Sequence, residues 1–287
     1  MLLSILAAAA AAGAIYGLAI EPRRVERTFL RIVVSGLPRS VRLLAVGDLH
    51  LREGSRMTLQ KLREAAEWSI AHGATAAVLL GDLIERDDEV EAVARGLAAS
   101  LAPLHAMYVS GNHELDRSSR VHWPLKRNDG SLIRGALAGQ GIECLDDRSV
   151  DLGGVLLHGI PWQGWRVGHD RSAVGPARPL PTVLVTHSPD HVGPLDGAEV
   201  VLALCGHTHG GQIRIPGLAA WWTPVIRRLD ALAGPQVVAG VRTYVTRGLS
   251  ATFPIRIAAR PEVVLVDLAP RSGGGAPPGA TVLEIPS

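Results

Sequence analysis

Between Val41 and Leu268, short apolar runs alternate with stretches in which apolar residues recur every three or four positions. That alternation predicts an α/β domain with a partly parallel sheet. Val41–Val46 (VRLLAV) predicts the first strand; Ser55 is then expected to cap a helix carrying Leu59, Leu62, Ala66 and Ile70 on one face until Gly73 ends it. Ala76–Leu80 predicts a second, buried strand. Asp87–Ala102 predicts a second amphipathic helix with acidic residues in its first turn, and His105–Ser110 a third strand. The second half is richer in strands, expected at Val155–Gly159, Thr182–Thr186, Val200–Leu204, Gln212–Ile215, Thr243–Thr246 and Glu262–Asp267.

The two ends read differently. Leu2–Ile20 runs for 19 residues without a charge, the length that crosses ~30 Å of hydrocarbon as a helix. Residues 1–24 are therefore expected to form a membrane-anchor helix, with a signal segment as the rival reading. Arg23, Arg24, Arg27 and Arg31 follow the apolar span, so the positive-inside tendency predicts a single-pass protein of the inner (cytoplasmic) membrane with its folded domain in the cytoplasm. Residues 25–268 make that domain, and residues 269–287, rich in Gly, Pro and Ala, are expected to be a disordered tail. The net charge of +2, with no basic stripe, argues against a nucleic-acid partner. Cys144 and Cys205 stand in no CxxC pair and read as core residues.

Chemistry enters at the strand ends. Asp48 and His50 follow the first predicted strand in GDLH, and Asp82 follows the second in GDL. Asn112, His113 and Glu114 follow the third in GNHE, His187 follows TVLVT, and His207 and His209 follow VVLAL in CGHTHGG. The carboxyl edge of an open α/β sheet is where ligands bind. Any one of these residues alone reads better as a hydrogen-bonded structural histidine, a turn aspartate or a helix cap. Together they would strand many polar groups beside a core unless something satisfies them. Asp48, His50, Asp82, Asn112, His187, His207 and His209 supply seven oxygen and nitrogen donors, too many for one ion. With one carboxylate shared, they divide into two sets of four. Two neighbouring divalent cations activate water at neutral pH and clamp the oxygens of an in-line displacement at phosphorus. Mixed nitrogen and oxygen ligation admits Mn, Fe or Zn.

In order, GDLH, GDL, GNHE, THSPD and GHTHGG resemble the five blocks of the calcineurin-like metallophosphoesterase superfamily. GHTHGGQIRIPG, with RGLS and FPIRIAARPE downstream, resembles more narrowly its bacterial, membrane-anchored YkuE-like branch. The resemblance implies a two-sheet αββα sandwich. It also implies that Asp48, His50 and His209 hold one metal, that Asn112, His187 and His207 hold the second, and that Asp82 bridges them. His113 then approaches the leaving-group oxygen or the phosphoryl charge, as general acid or charge stabiliser. His207 and His209 are expected to point the same way through the two-residue period of extended chain, with Cys205 read as a core residue and not as a ligand. Glu114 reads as loop support.

The implied activity is hydrolysis of a phosphomonoester, phosphodiester or pyrophosphate. Trp221 and Trp222, preceding a short amphipathic helix, are a second expected membrane contact and point with the anchor to a lipid-linked substrate. One alternative is a UDP-2,3-diacylglucosamine pyrophosphatase of lipid A synthesis; against it stands GNHE, where the soluble branch of that activity carries arginine in GNRD. The other is a non-catalytic interaction platform on the same fold, against which the full set of donors stands.

Overall fold

The computed structural model describes residues 4, 11–85, 89–115, 130–162, 180–195, 198–214, 232–253, 255–270 and 281–284. Its strands form two sheets. The first runs β13 (Thr281–Glu284), β1 (Glu26–Val33), β12 (Glu262–Ala269), β2 (Val41–Val46), β3 (Ala76–Leu79), β4 (His105–Tyr108), β5 (Glu143–Cys144). The second runs β10 (Gly234–Val238), β11 (Val241–Val245), β9 (Val200–Cys205), β8 (Thr182–Thr186), β7 (Leu156–Ile160), β6 (Ser149–Asp151). Parallel pairing dominates where the chemistry sits: β2, β3 and β4 run together, as do β7, β8 and β9.

The two-residue period of a strand divides each element between two cores. In β2, Leu44 and Val46 join the cluster under helices α1 (Arg56–Ala71), α2 (Val90–Leu101) and α4 (Ser131–Gly139), the short turn α3 (Asn112–Leu115) lying between. Leu43 and Ala45 instead join Leu157, Val183, Val185, Leu202 and Leu204 of the second sheet, so this layer lies between the sheets. Burial on both faces explains why these strands read as continuous apolar runs. Each fully buried leucine or valine stabilises by roughly 1.5–3 kcal/mol, which makes the inter-sheet layer the element that holds the two strand-end edges side by side. The outer face of the second sheet carries its own cluster, including Leu184, Ala203 and Cys205. Among the described residues only the first sheet is covered by α-helices, so the second helical layer of the expected αββα sandwich is not seen there.

Three expectations change. Of the expected strand Gln212–Ile215, the described residues 212–214 make only a single bridge, Ile213 to Ile257, because the chain is still leaving a glycine turn there, and Ile215 lies outside the described residues. Within the stretch 269–287, expected as a disordered tail, Thr281–Glu284 pairs with β1, while residues 271–280 and 285–287 lie outside the described residues. β1 itself was outside the predicted elements, since Glu26, Arg27 and Arg31 break its apolar pattern. At the N-terminus, no helix among the described residues is long and apolar enough to cross a membrane. Residues 1–3 and 5–10 of the expected span lie outside the described residues, as do Trp221 and Trp222. Residues 11–15 are helical and lead into a π-helical turn, Tyr16–Ile20, whose Gly17 carbonyl accepts from Arg256 N at 2.9 Å.

Candidate metal centre

Every predicted donor lies on one edge, and five of them leave their strand by the same unusual step. Asp48 (φ 55°), His50 (φ 45°), Asp82 (φ 52°), His207 (φ 74°) and His209 (φ 49°) all hold left-handed backbone. For non-glycine residues that conformation costs on the order of 1–3 kcal/mol each and persists only where tertiary contacts over-determine it. Here Asp48 N donates to Gly81 O at 3.1 Å and His50 N to Asp82 O at 2.9 Å, locking the first two loops together. The turn bearing His207 and His209 is likewise not extended chain: Thr208 between them is right-handed helical (φ −79°, ψ −20°). His207 and His209 therefore do not share a strand face as expected. A left–right–left backbone, not a strand period, aims the two imidazoles at two neighbouring groups. Two glycines allow the close approach: a Cβ on Gly206 would lie 2.7 Å from Asp48 Oδ2, and one on Gly111 2.3 Å from Asp82 Oδ1.

Asp82 is the hub. Its Oδ2 lies 3.2 Å from His187 Nε2, 3.8 Å from His50 Nε2 and 3.9 Å from His113 Nε2. Its Oδ1 accepts from His113 N at 2.9 Å. Asp48 accepts from His207 N through both oxygens, at 3.0 and 3.1 Å, and stands 3.8 Å from His209 Nε2. His187 Nδ1 meets Leu80 O at 2.7 Å, while its Nε2 lies 3.0 Å from both Asn112 Oδ1 and His207 Nδ1. Ligand-competent atoms thus gather in three overlapping groups: Asp48, His50 and His209; His50, Asp82 and His113; Asp82, His187 and His207.

These residues fit divalent cations on the chemistry of the donors themselves. Leu80 O takes the Nδ1 proton of His187, so Nε2 points a lone pair at an amide oxygen, a carboxylate oxygen and another imidazole nitrogen, unless a proton or a cation sits among them. His50 Nε2 is buried without a hydrogen-bond partner, although its Nδ1 is held by Glu85 Oε1 at 2.7 Å. An orphaned imidazole nitrogen beside two carboxylates is costly unless a ligand completes it.

Glu85 is a site residue that the sequence reading missed. Its Oε1 accepts from Thr252 Oγ1 at 2.6 Å as well as from His50, and its Oε2 lies 3.5 Å from His113 Nδ1. It orients one metal-competent histidine and the candidate acid together. The signal was available only as an acidic residue three positions after Asp82. Glu114 behaves as expected, supporting the loop: its buried carboxylate accepts from the Gly111, Asp82, Leu83 and Ile84 amides. Trp162, left open as cleft wall or loop filler, is buried with its ring centroid 5.2 Å from that of His207 and 5.9 Å from that of His187. Cys205 packs in the outer core of the second sheet.

Charge follows from this crowding. Burial disfavours charge on His187, but Asp82 and Asp48 outweigh it and raise its pKa to about 9. Burial works the same way on His113, and Asp82 and Glu85 likewise raise it to about 9. Burial and the neighbouring His187 hold His207 well below the ordinary imidazole range; burial with His50 and Arg256 does the same to His209. Burial would lift the Asp82 carboxyl, yet His187 and His113 keep it well below the carboxylate range.

In metal-free protein, His187 and His113 stabilise the fold fully below the unfolded imidazole value of about 6.5 and lose that contribution as pH rises through about 9. His207 and His209 do the reverse, losing theirs as pH falls below about 6.5. The histidine contribution therefore gives EDTA-treated protein a melting temperature that peaks near neutrality, at about pH 6.5, and falls on both sides. Thermal unfolding at a series of pH values checks this, and a steady rise up to pH 9 would contradict it.

Against known proteins, the profile of the calcineurin-like phosphoesterase family matches residues 41–211, the stretch that carries all seven predicted donors and His113. The chain is 26% identical to the uncharacterized metallophosphoesterase YkuE of Bacillus subtilis over 273 residues, covering 91% of this chain and 92% of that one. It is 35% identical over 89 residues to phosphodiesterase YaeI of Escherichia coli, a match spanning 31% of this chain and 33% of the relative. A 95-residue stretch is 28% identical to the UDP-2,3-diacylglucosamine pyrophosphatase LpxG of Chlamydia trachomatis, over 30% of this chain and 29% of that protein.

Proposed function

Because the chain belongs to the calcineurin-like phosphoesterase family and is a metal-dependent phosphoester hydrolase, we propose that its donors hold two divalent ions and act on a phosphomonoester, phosphodiester or pyrophosphate of a membrane-associated molecule. The observation that carries this is the position of Asp82 Oδ2 at the junction of two donor groups, with the orphaned His50 Nε2 beside it. Asp48, His50 and His209 would hold one ion, Asn112, His187 and His207 the other, and Asp82 both. Two such ions supply an activated water at neutral pH and neutralise charge on phosphoryl oxygens.

The chain's own part is placement. His113 is pinned by its amide on Asp82, and its ring faces Glu85, a carboxylate that favours a proton on the imidazole. That proton serves the leaving oxygen or the charge that develops on the phosphoryl group. The buried Trp162 ring closes the wall behind His187 and His207 and keeps water off that side. The membrane part of the reading is supported by the exposed apolar side chains of Ile15, Leu18, Ile20 and Phe253. It carries with it the inner-membrane location and the cytoplasmic placement of the domain. The similarity to LpxG favours a second reading, cleavage of the pyrophosphate of UDP-2,3-diacylglucosamine.

The test is full-length protein in mild detergent, loaded with Mn²⁺, Fe²⁺ or Zn²⁺, on bis(p-nitrophenyl) phosphate and on UDP-2,3-diacylglucosamine. Diester turnover is expected, and His113→Gln is expected to lower kcat by about 10²–10⁴-fold with metal content unchanged. Turnover no higher than that of Asp82→Asn with every metal would defeat the reading. A much higher kcat/KM on the lipid pyrophosphate selects the second one, and failure to float with liposomes removes the membrane part.

A further inference from the structure

The downstream motif around Arg256 supplies none of the predicted donors, yet it contains the largest fully buried side chain of the described residues. The Arg256 guanidinium spends its donors on backbone carbonyls: Arg247 O at 2.7 Å, His209 O at 3.1 Å, Ala259 O at 3.2 Å, and Ser250 O. Two of these belong to the metal centre. One is the carbonyl of His209 itself; the other, Ser250 O, also lies 3.2 Å from His209 Nδ1 and so leaves Nε2 facing Asp48. Beside it, Ile257 N donates to Gln212 O at 3.0 Å and Ile257 O accepts from Arg214 N at 2.8 Å, bonding the same strip to the residues just after GHTHGG.

The other side of that strip is held by the N-terminal segment. Arg256 N donates to Gly17 O at 2.9 Å, and Ala259 N donates to Glu21 Oε1 at 2.6 Å. Glu21 and Pro22 are buried, and Lys61 Nζ donates to Pro22 O. The contact is close: a Cβ on Gly17 would lie 3.0 Å from Ile257 Cγ1 and 3.2 Å from Arg256 O. A segment that only tethered a domain to a bilayer would need none of this. We propose that Tyr16–Arg23 is a structural part of the metal centre, and that Glu21 and Arg256 are positioning residues through which it sets the backbone and ring of His209. The proposal rests on the two-metal reading above, and its test separates the two.

Full-length protein in detergent is titrated with Mn²⁺. Glu21→Ala removes the acceptor of the Ala259 amide, Gly17→Val pushes the segment off the strip, and Glu21→Gln keeps an oxygen in place. Glu21→Ala and Gly17→Val are expected to bind one of two Mn²⁺ ions at least about tenfold more weakly, the scale of losing a partner that orients a metal ligand. The electron paramagnetic resonance signal of a coupled Mn pair gives way to that of isolated Mn, and Glu21→Gln restores it. Folded Glu21→Ala and Gly17→Val proteins with wild-type affinity and pair signal would overturn the proposal. Should those variants not fold, hydrogen exchange on the wild type decides. Linkage is reciprocal, so Mn²⁺ must slow exchange of the Arg256 and Ala259 amides together with those of the 207–212 turn. Protection confined to that turn overturns the proposal. A wild-type chain that binds no Mn²⁺ defeats the two-metal reading instead; slower exchange at 207–212 in metal-free wild type than in Glu21→Ala then still supports the brace, and equal exchange overturns it.

Discussion

Asp82→Asn is expected to lose one bound metal ion and to lower turnover by more than about 100-fold, the upper end for losing a mere supporting partner of a ligand. The size follows from position. One oxygen of this carboxylate lies 3.2–3.9 Å from the Nε2 atoms of three histidines that between them reach all three donor groups. An amide at the same place keeps the shape, and its oxygen can still accept from His113 N, so the fold is expected to survive. What disappears is the charge. Without it two cations would be drawn together with one fewer anion between them, and His113 loses one of the two carboxylates, Asp82 and Glu85, that favour a proton on its ring. Elemental analysis and hydrolysis of bis(p-nitrophenyl) phosphate read both effects from one preparation. Two bound ions and activity within tenfold of wild type would show that Asp82 is not the shared group.

Glu114→Ala acts through stability instead. The wild-type carboxylate is fully buried and accepts from Gly111 N at 2.7 Å, Leu83 N at 2.8 Å, Asp82 N at 2.9 Å and Ile84 N at 3.3 Å. Each buried N–H left unmet costs about 1–3 kcal/mol, so four of them compare with a whole domain's margin of about 5–15 kcal/mol. The loop they belong to also carries Asp82 in its left-handed conformation, a strained state that only such contacts maintain. The melting temperature of Glu114→Ala is expected to fall by at least about 10 °C, with activity lost in parallel. Glu114→Gln, which keeps one oxygen acceptor, is expected to fall less. A shift of a few degrees for the alanine variant would mean that water replaces the carboxylate, and that its role as loop support is minor.

These two residues also mark where sequence reading works and where it stops. Val41–Val46 and Thr182–Thr186 occur with the predicted bounds, and Arg56–Ala71 falls inside the predicted helix, because apolar runs buried on both faces and one-sided helices are written locally. Glu114 was read as loop support from its place in GNHE, and the amides it serves bear this out. Glu85 was not read, because nothing in GDLIER says that its carboxylate meets His50, His113 and Thr252, the last 167 positions away. β1 was missed for the opposite reason. Its charges mask a strand that only its pairing with β12 and β13 reveals.

By itself the sequence determined which side chains gather at the strand ends, since motif identity and strand endings depend on neighbours a few residues apart. Only the tertiary structure decided how they meet. Left-handed backbone at Asp48, His50, Asp82, His207 and His209 is unfavourable in isolation, and it exists because hydrogen bonds between loops and the layer packed between two sheets hold it there. The same holds for the N-terminal segment: its apolar composition suggested a tether, while its docking on Arg256 and Ala259 depends on contacts some 240 residues distant in the chain. Local physics writes the elements and the donors; long-range packing stabilises the strained turns that turn those donors into one site.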